Sequence, residues 1–429
     1  MLASRALRRA AASLSSRASF QTFRPSAASS HRWIDLVKDA LRVRALLLGT
    51  GAVCTAGGTA CFAYYYSEAG VSRHMCGVFE AGGAHGWDAI FFKDSLNHIP
   101  RAELHADLTK LLQPNEKAQY AVIVGAAGTG KSTAVRSAVR SLFERKGAVY
   151  FLPPTLLTSF SSELASVLGY YRPIRWADRV VRLVTGETKE GVQTLGSPLT
   201  AEPQATWSVL EPCLVKAAAR YRAKHGKPAA LVLDGMDLVS KKDPSFFLKM
   251  QDFAKKCADA GILSVVLVFS DGRALPLLQS SSAITRAGII YEVGDVSDID
   301  ASVWLSKEYN VEAERAAKLV DSVAGGRFPL LIMCGTSSKS VDAISRELDV
   351  KVREGLREVG VRPNAPLFRA LLTMKAIAID EAHELLPKAK VQELLNLNIL
   401  SAHPDSTYTF HDRHVMRFME RAAASQWWR

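Results

Sequence analysis

The chain has 429 residues, 48% hydrophobic and 22% charged, a balance that excludes a disordered polymer and implies two or three packed units with real cores. The formal net charge of +12 suggests nucleic acid, but Arg5, Arg8, Arg9, Arg17, Arg24 and Arg32 all precede the first acid, Asp35, so half the excess lies in the first 34 residues and the rest is only mildly basic. The six cysteines (54, 61, 76, 213, 257 and 334) include no C-x-x-C and no histidine at metal spacing, so reduced, mostly buried thiols are expected rather than a zinc site or a disulfide framework.

Met1 to Ser30 is rich in Arg, Ser and Ala, contains no acid, and sets Leu2, Leu7 and Leu14 among basic residues. Residues 1–34 therefore read as a mitochondrial presequence; a secretory signal would need an apolar stretch that is missing after the first basic residues. Ala45 to Tyr66 carries no charge over 22 residues, about 33 Å as a helix and enough for a bilayer core. Thr50, Cys54 and Gly58 fall four apart, a spacing that lets membrane helices approach closely, and Tyr64 to Tyr66 suit the interface. Residues 45–66 are read as one transmembrane helix in the mitochondrial inner membrane. Lys38, Arg42 and Arg44 before it, offset by Asp35 and Asp39, against Glu68 and Arg73 after it, give a slight asymmetry that favours a matrix N-terminus and a folded region in the intermembrane space. Residues 67–95, uneven in pattern, read as a juxtamembrane connector.

From His98 the pattern turns helical, with Leu104, Leu108, Leu111 and Leu112 on one face. Tyr120 to Thr133, YAVIVGAAGTGKST, organises the rest of the chain: an apolar strand runs into a G-x-x-x-x-G-K-[ST] phosphate-binding loop. Gly125, Ala126, Ala127, Gly128, Thr129 and Gly130 let successive backbone N–H groups face a phosphate at the positive end of the next helix. Lys131 reaches the β- and γ-phosphates of ATP, Ser132 can hold Mg²⁺, and Thr133 completes the loop. Ala134 to Arg145 reads as helix and Ala148 to Leu152 as a second strand. Thr155 to Lys227 reads as largely helical, with a loop at 186–203. Ala229 to Leu233, Ile262 to Phe269 and Gly288 to Val293 are three further apolar runs of strand length. Strands alternating with helices imply an α/β parallel sheet with right-handed crossovers.

Leu231-Val232-Leu233-Asp234 ends an apolar strand in a carboxylate, where a second Mg²⁺ ligand is needed. Asp237, three residues on, is placed to orient the attacking water or to cap the next helix. Ser270 ends the following strand, where it could touch the γ-phosphate or water, or serve as an ordinary turn residue.

Together VGAAGTGKST, LVLDGMD, VVLVFSDGRA, ITRAGIIYEV and AGGRFPLLI resemble the AAA+/STAND class of P-loop ATPases, in particular archaeal-type STAND ATPases, NACHT-like proteins and the origin-recognition branch. The resemblance spans about residues 99–332. It implies a five-stranded sheet of order 5-1-4-3-2 and a helical lid, with Asp234 as the Walker B aspartate and Ser270 at the sensor 1 position. It also implies that Arg286 is an arginine finger reaching a neighbouring copy's nucleotide, and that Arg327, in GGRFP, lies at sensor 2 or the GxP turn. The AAA+ glutamate after the Walker B aspartate is Gly235 here; the D-G-x-D spacing is NACHT-like and makes Asp237 the water-orienting candidate.

Residues 96–294 are thus expected to form the ATPase domain and 295–362 the lid, with Ala301, Val303, Leu305, Ala316, Leu319 and Val320 as its apolar positions. Residues 363–429 resemble the winged helix that follows the lid in these families. Lys388, Lys390, Gln392, Glu393, Asn396 and Asn398 on its would-be recognition helix are mixed in charge, which favours protein contact over DNA. The expected function is a membrane-anchored, slowly hydrolysing Mg·ATP switch or scaffold, homo-oligomeric through Arg286, with an unspecified protein partner. A remodelling motor and a DNA-binding nucleoid tether are the alternatives; no aromatic-Gly pore motif supports the motor.

Overall fold

A computed structural model describes residues 68–82, 99–112, 117–143, 147–170, 206–270 and 289–424. The presequence, the 45–66 segment and Arg286 lie outside these residues. No helix among the described residues is long and apolar enough to cross a membrane.

Residues 68–81, expected as part of a connector, form the first helix, and residues 83–95 of that stretch lie outside the described residues. Helix α1 (Glu68–Ala81) buries Val71, Met75, Cys76, Val78 and Phe79, an i, i+4, i+7/i+8 stripe diluted in the sequence by Gly70 and Gly77. A second apolar face, that of α2 (Ala102–Leu112), is formed by the four expected leucines, all buried.

Strand β1 (Tyr120–Val124) leads into α3 (Lys131–Phe143) and β2 (Ala148–Phe151). Next come α4 (Phe160–Val167), α5 (Trp207–His225), β3 (Ala229–Asp234), α6 (Asp237–Lys242), α7 (Pro244–Asp259), β4 (Leu263–Val268) and β5 (Ile289–Glu292). The five strands pair in parallel in the order β2-β3-β4-β1-β5, which counted from the other edge is 5-1-4-3-2.

Tyr120, Val122, Val124, Leu231, Leu233, Val265 and Leu267 face one core, shared with α1, α4, α5 and α7. Ala121, Ile123, Ala230, Val232, Val266 and Val268 face the other, shared with α2 and α3. Burial on both faces explains why these strands read as continuous apolar runs instead of alternating ones. Helix α1 lies along α5. Phe79 meets the Tyr221 ring at 6.1 Å, Arg220 donates to the Ala69 carbonyl at 2.9 Å, and Glu80 pairs with Lys224 and His225 at 2.8 and 3.0 Å.

The lid comprises α8 (Asp298–Tyr309), α9 (Ala313–Leu319), a π-turn at Val320–Ala324, α10 (Phe328–Thr336) and α11 (Val341–Val359). Ala301, Trp304, Leu305, Ala316, Leu319, Val320 and Leu331 form its core. Val303, expected inside, is 60% exposed. Positions 301, 303 and 305 alternate as on a strand, whereas a helix of 3.6 residues per turn turns 301, 304 and 305 inward and 303 outward.

The C-terminal region runs α12 (Pro366–Met374), β6 (Ile377–Ala378), α13 (Ile379–Leu385), α14 (Lys388–Asn396), β7 (Leu400–Ala402), β8 (Thr407–Phe410) and α15 (Arg413–Ala424). Its strands form an antiparallel sheet of order β6-β8-β7, with the Pro-Asp-Ser turn joining β7 to β8. A closing helix follows β8. Asp412 starts it by accepting from the Val415 N–H at 2.9 Å, and α15 buries His414, Val415, Phe418 and Met419. Cys76, Cys213, Cys257 and Cys334 are buried free thiols.

Candidate nucleotide site

Parallel pairing brings the C-terminal ends of β1, β3 and β4 to one edge of the sheet, where open α/β folds hold their ligands. The register sets Ile123 and Asp234 each opposite Val268, in the central strand β4, so the loop after β1, the carboxylate closing β3 and Ser270 after β4 are neighbours.

Helix α3 begins at Lys131 itself, leaving the first N–H groups of the helix without intrahelical partners, the arrangement a phosphate completes. Gly128 and Gly130 hold the left-handed backbone region, at φ +85° and +83°. An added Cβ at either would sit 2.7 Å from the lid, on Pro329 and Phe328 respectively. Glycine is needed here for close approach as well as for the turn. The Phe328 N–H donates to the Gly128 carbonyl at 3.1 Å, so α10 starts directly on the loop.

Lys131 is buried, 3% exposed, and turns back on its own loop. Its Nζ donates to the Ala126 carbonyl at 2.6 Å and to Thr129 Oγ1 at 3.2 Å. Burial pushes its ammonium down to about 8, against the pull of Asp237 and Asp234. Those loop contacts satisfy two of its three donors, and phosphate oxygens would replace them with charge-assisted bonds.

Asp234 is 1% exposed. Its Oδ1 accepts from Ser132 Oγ at 3.2 Å and its Oδ2 from Tyr150 Oη at 2.5 Å, while Arg136 Nε donates to the Tyr150 oxygen at 3.0 Å. Ser132 and Asp234, one from each of two elements, make a hard-oxygen pair of the kind magnesium takes.

Asp237 opens α6 but does not cap it: the N-cap is Met236, and no side chain caps that end. Instead Asp237 Oδ2 accepts from the Ser270 main-chain N–H at 2.7 Å, and its Oδ1 is buried with no partner. Burial raises its pKa above the ordinary carboxylate value, with the Ser270 N–H and Lys131 opposing. A buried carboxylate oxygen without a donor, near Lys131, is a suitable acceptor for a water hydrogen. Ser270 is thus brought to the site through its backbone.

Arg327 does not extend from the lid as a free sensor. It is 5% exposed and forks onto Asp295 through Nε and Nη2 at 2.7 and 3.0 Å. Its Nη1 donates to the Ala127 carbonyl of the phosphate loop at 2.7 Å and lies 3.0 Å from His411 Nε2; its Nη2 donates to the His411 carbonyl at 2.6 Å. One guanidinium therefore joins the loop, the segment after β5 and the end of the β7–β8 hairpin. The C-terminal region is also tied to β5 by His403, 2.5 Å from Glu292, and to the lid by Arg413 on Asp298 and Arg417 on Asp321, at 3.0 and 2.7 Å.

Sequence reasoning missed Arg101, which donates to the Thr129 carbonyl at 3.1 Å and to the Gly294 carbonyl at 3.1 Å. Tyr150, Arg136 and His411 were missed as well. A signal existed for Arg136, one helical turn beyond Ser132 and on its face. Arg101 and His411 arrive from distant segments and left none.

No family model matches the chain, and no curated protein matches it. Among solved structures, the chain is similar to the Walker-type ATPase PABY2304 of Pyrococcus abyssi, at 14% identity and TM-score 0.48 over 75% of this chain and 96% of that one. It is also similar to the Aeropyrum pernix ORC2 protein in its ADPNP and ADP complexes, at 13% identity and TM-score 0.39 over 78% and 98% of the two chains. A third likeness is to the STAND protein PH0952 of Pyrococcus horikoshii, with a tetratricopeptide repeat sensor, at 11% identity and TM-score 0.33 over 77% of this chain and 43% of that one. At these scores the functional reading rests on the geometry of the loop, Asp234, Asp237 and Arg327.

Proposed function

We propose that the chain binds Mg·ATP at the Gly125–Thr133 loop, hydrolyses it slowly, and uses the nucleotide state to hold or release its C-terminal region. The observation that carries this reading is Arg327, whose guanidinium bonds the Ala127 carbonyl and His411 at once, so a phosphate entering the loop competes for the cation that holds the hairpin. Magnesium, held by Ser132 and Asp234, would neutralise phosphate charge when bound. Lys131 grips the phosphates, and Asp237 orients a water and takes its proton on a buried oxygen. The lid, resting on Gly128 and Gly130, keeps bulk water out.

The helix-strand-helix-helix-hairpin order of residues 366–410 supports reading this region as a winged helix. Lys390 on α14 donates to the Gly360 carbonyl at 3.2 Å, which spends one of its few cations inside the molecule and favours a protein partner over DNA. A mitochondrial inner-membrane anchor at 45–66 and a homo-oligomer through Arg286 belong to the same reading.

Arg327→Ala should loosen the hairpin without nucleotide. In the full chain, hydrogen exchange at 400–412 should rise, and the wild type should show the same change when Mg·ATP replaces ADP. Equal protection of 400–412 in the nucleotide-free, ADP and Mg·ATP states would overturn the switch.

A further inference from the structure

Beyond the parts that grip phosphate, the site holds a chain of two half-buried side chains, Arg136 and Tyr150, ending on the buried Asp234 carboxylate. Tyr150 lies on β2 in register with Val232, two residues before Asp234 on β3, so both project from the same side of the sheet, toward α3. The direction of each hydrogen bond is set by chemistry. Arg136 Nε can only donate, so it fills an acceptor position on the phenol oxygen at 3.0 Å. The single phenol hydrogen is then left for Asp234 Oδ2, at 2.5 Å, and the Arg136 guanidinium also lies over the Tyr150 ring, 5.8 Å from its centroid. Ser132 meets the other oxygen, Oδ1.

We propose that Tyr150 sets the metal preference of this site: its short hydrogen bond ties Asp234 Oδ2 against bidentate use, while Oδ1, which takes only the longer 3.2 Å bond from Ser132, is the oxygen presented to a cation, and this favours a small octahedral ion such as magnesium over calcium. The proposal rests on the Mg·ATP reading above. Calcium takes six to eight oxygens in flexible geometry and accepts bidentate carboxylates, whereas magnesium demands near-ideal octahedral ligands and gains from a fixed, single-oxygen donor. Tyr150 is thus a positioning residue that acts through Asp234, and Arg136 fixes the phenol in turn.

The test is calorimetric titration of ATP into the full chain and into Tyr150→Phe, each in magnesium, in calcium and in EDTA. Phenylalanine keeps the ring and loses only the hydroxyl. Affinity in EDTA should be unchanged, the gain from magnesium should fall by about 10- to 100-fold, and the gain from calcium should persist, so that the magnesium-to-calcium ratio drops. A purely structural role for Tyr150 would weaken all three conditions alike. Arg136→Gln, on the half-buried face of α3, keeps the phenol but frees its orientation; it should lower the same ratio by less, and it decides the matter if Tyr150→Phe does not fold. A wild type that gains from magnesium over EDTA, together with variants of unchanged ratio, overturns the role of Tyr150 alone. A wild type that binds ATP equally in magnesium and EDTA overturns the metal reading and this inference with it.

Discussion

Lys131→Met should remove ATP-induced stabilisation while raising the melting temperature of the nucleotide-free protein. The two effects share a cause. The lysine is buried against its own loop, and its ammonium is held down to about 8 by desolvation, so without phosphate it costs stability. Losing the charge partner of the β- and γ-phosphates should weaken ATP binding by about 2–5 kcal/mol, or about 30-fold and more, whereas removing the buried charge should stabilise the empty protein by on the order of 1–3 kcal/mol. The pH dependence has a definite sign. With a folded pKa below the unfolded value, the unfolded chain binds more protons between about 8 and the ordinary lysine range near 10.4. The cost is therefore complete below pH 8 and lifts as pH rises, so the stability gap between variant and wild type should narrow from pH 7 to pH 10. Thermal melts with and without Mg·ATP at three pH values check this; an ATP-induced shift in the variant equal to that of the wild type would remove Lys131 from the site.

Asp237→Asn should retain ATP and lose turnover by about 10²–10⁴-fold, the range for removing a general base. The amide oxygen can still accept from the Ser270 N–H, so the end of β4 stays in place. What is lost is the charge on the buried oxygen that has no partner. Because burial raises the Asp237 pKa, the acidic limb of the wild-type rate profile should lie above the ordinary carboxylate range and disappear in the variant. Steady-state phosphate release with saturating Mg·ATP measures both. A variant that hydrolyses at the wild-type rate would leave Asp237 only its clamp on Ser270.

How much of the molecule is legible in the sequence depends on how local each signal is. The phosphate loop and Asp234 are written in consecutive residues, and the apolar runs of β1, β3 and β4 mark strands buried on both faces. Helix α1 was hidden because its buried stripe is interrupted by glycines and its partner, α5, lies more than a hundred residues away. Val303 was misplaced because three alternate apolar residues look like a strand period. Arg327 could be singled out in GGRFP, but its role as a joint between loop and hairpin depends on Asp295 and His411, brought to it only by the packing of the lid. Tyr150 reads in AVYF as one more apolar strand residue, and its hydroxyl gains meaning only when β2 pairs with β3.

The most direct test of the Mg·ATP reading is calorimetric titration of ATP with magnesium into the purified wild-type chain. Saturable binding of one nucleotide per chain is expected, weakened when EDTA replaces magnesium and competed by ADP. Absence of binding at millimolar ATP, from a chain shown to be folded, would contradict that reading.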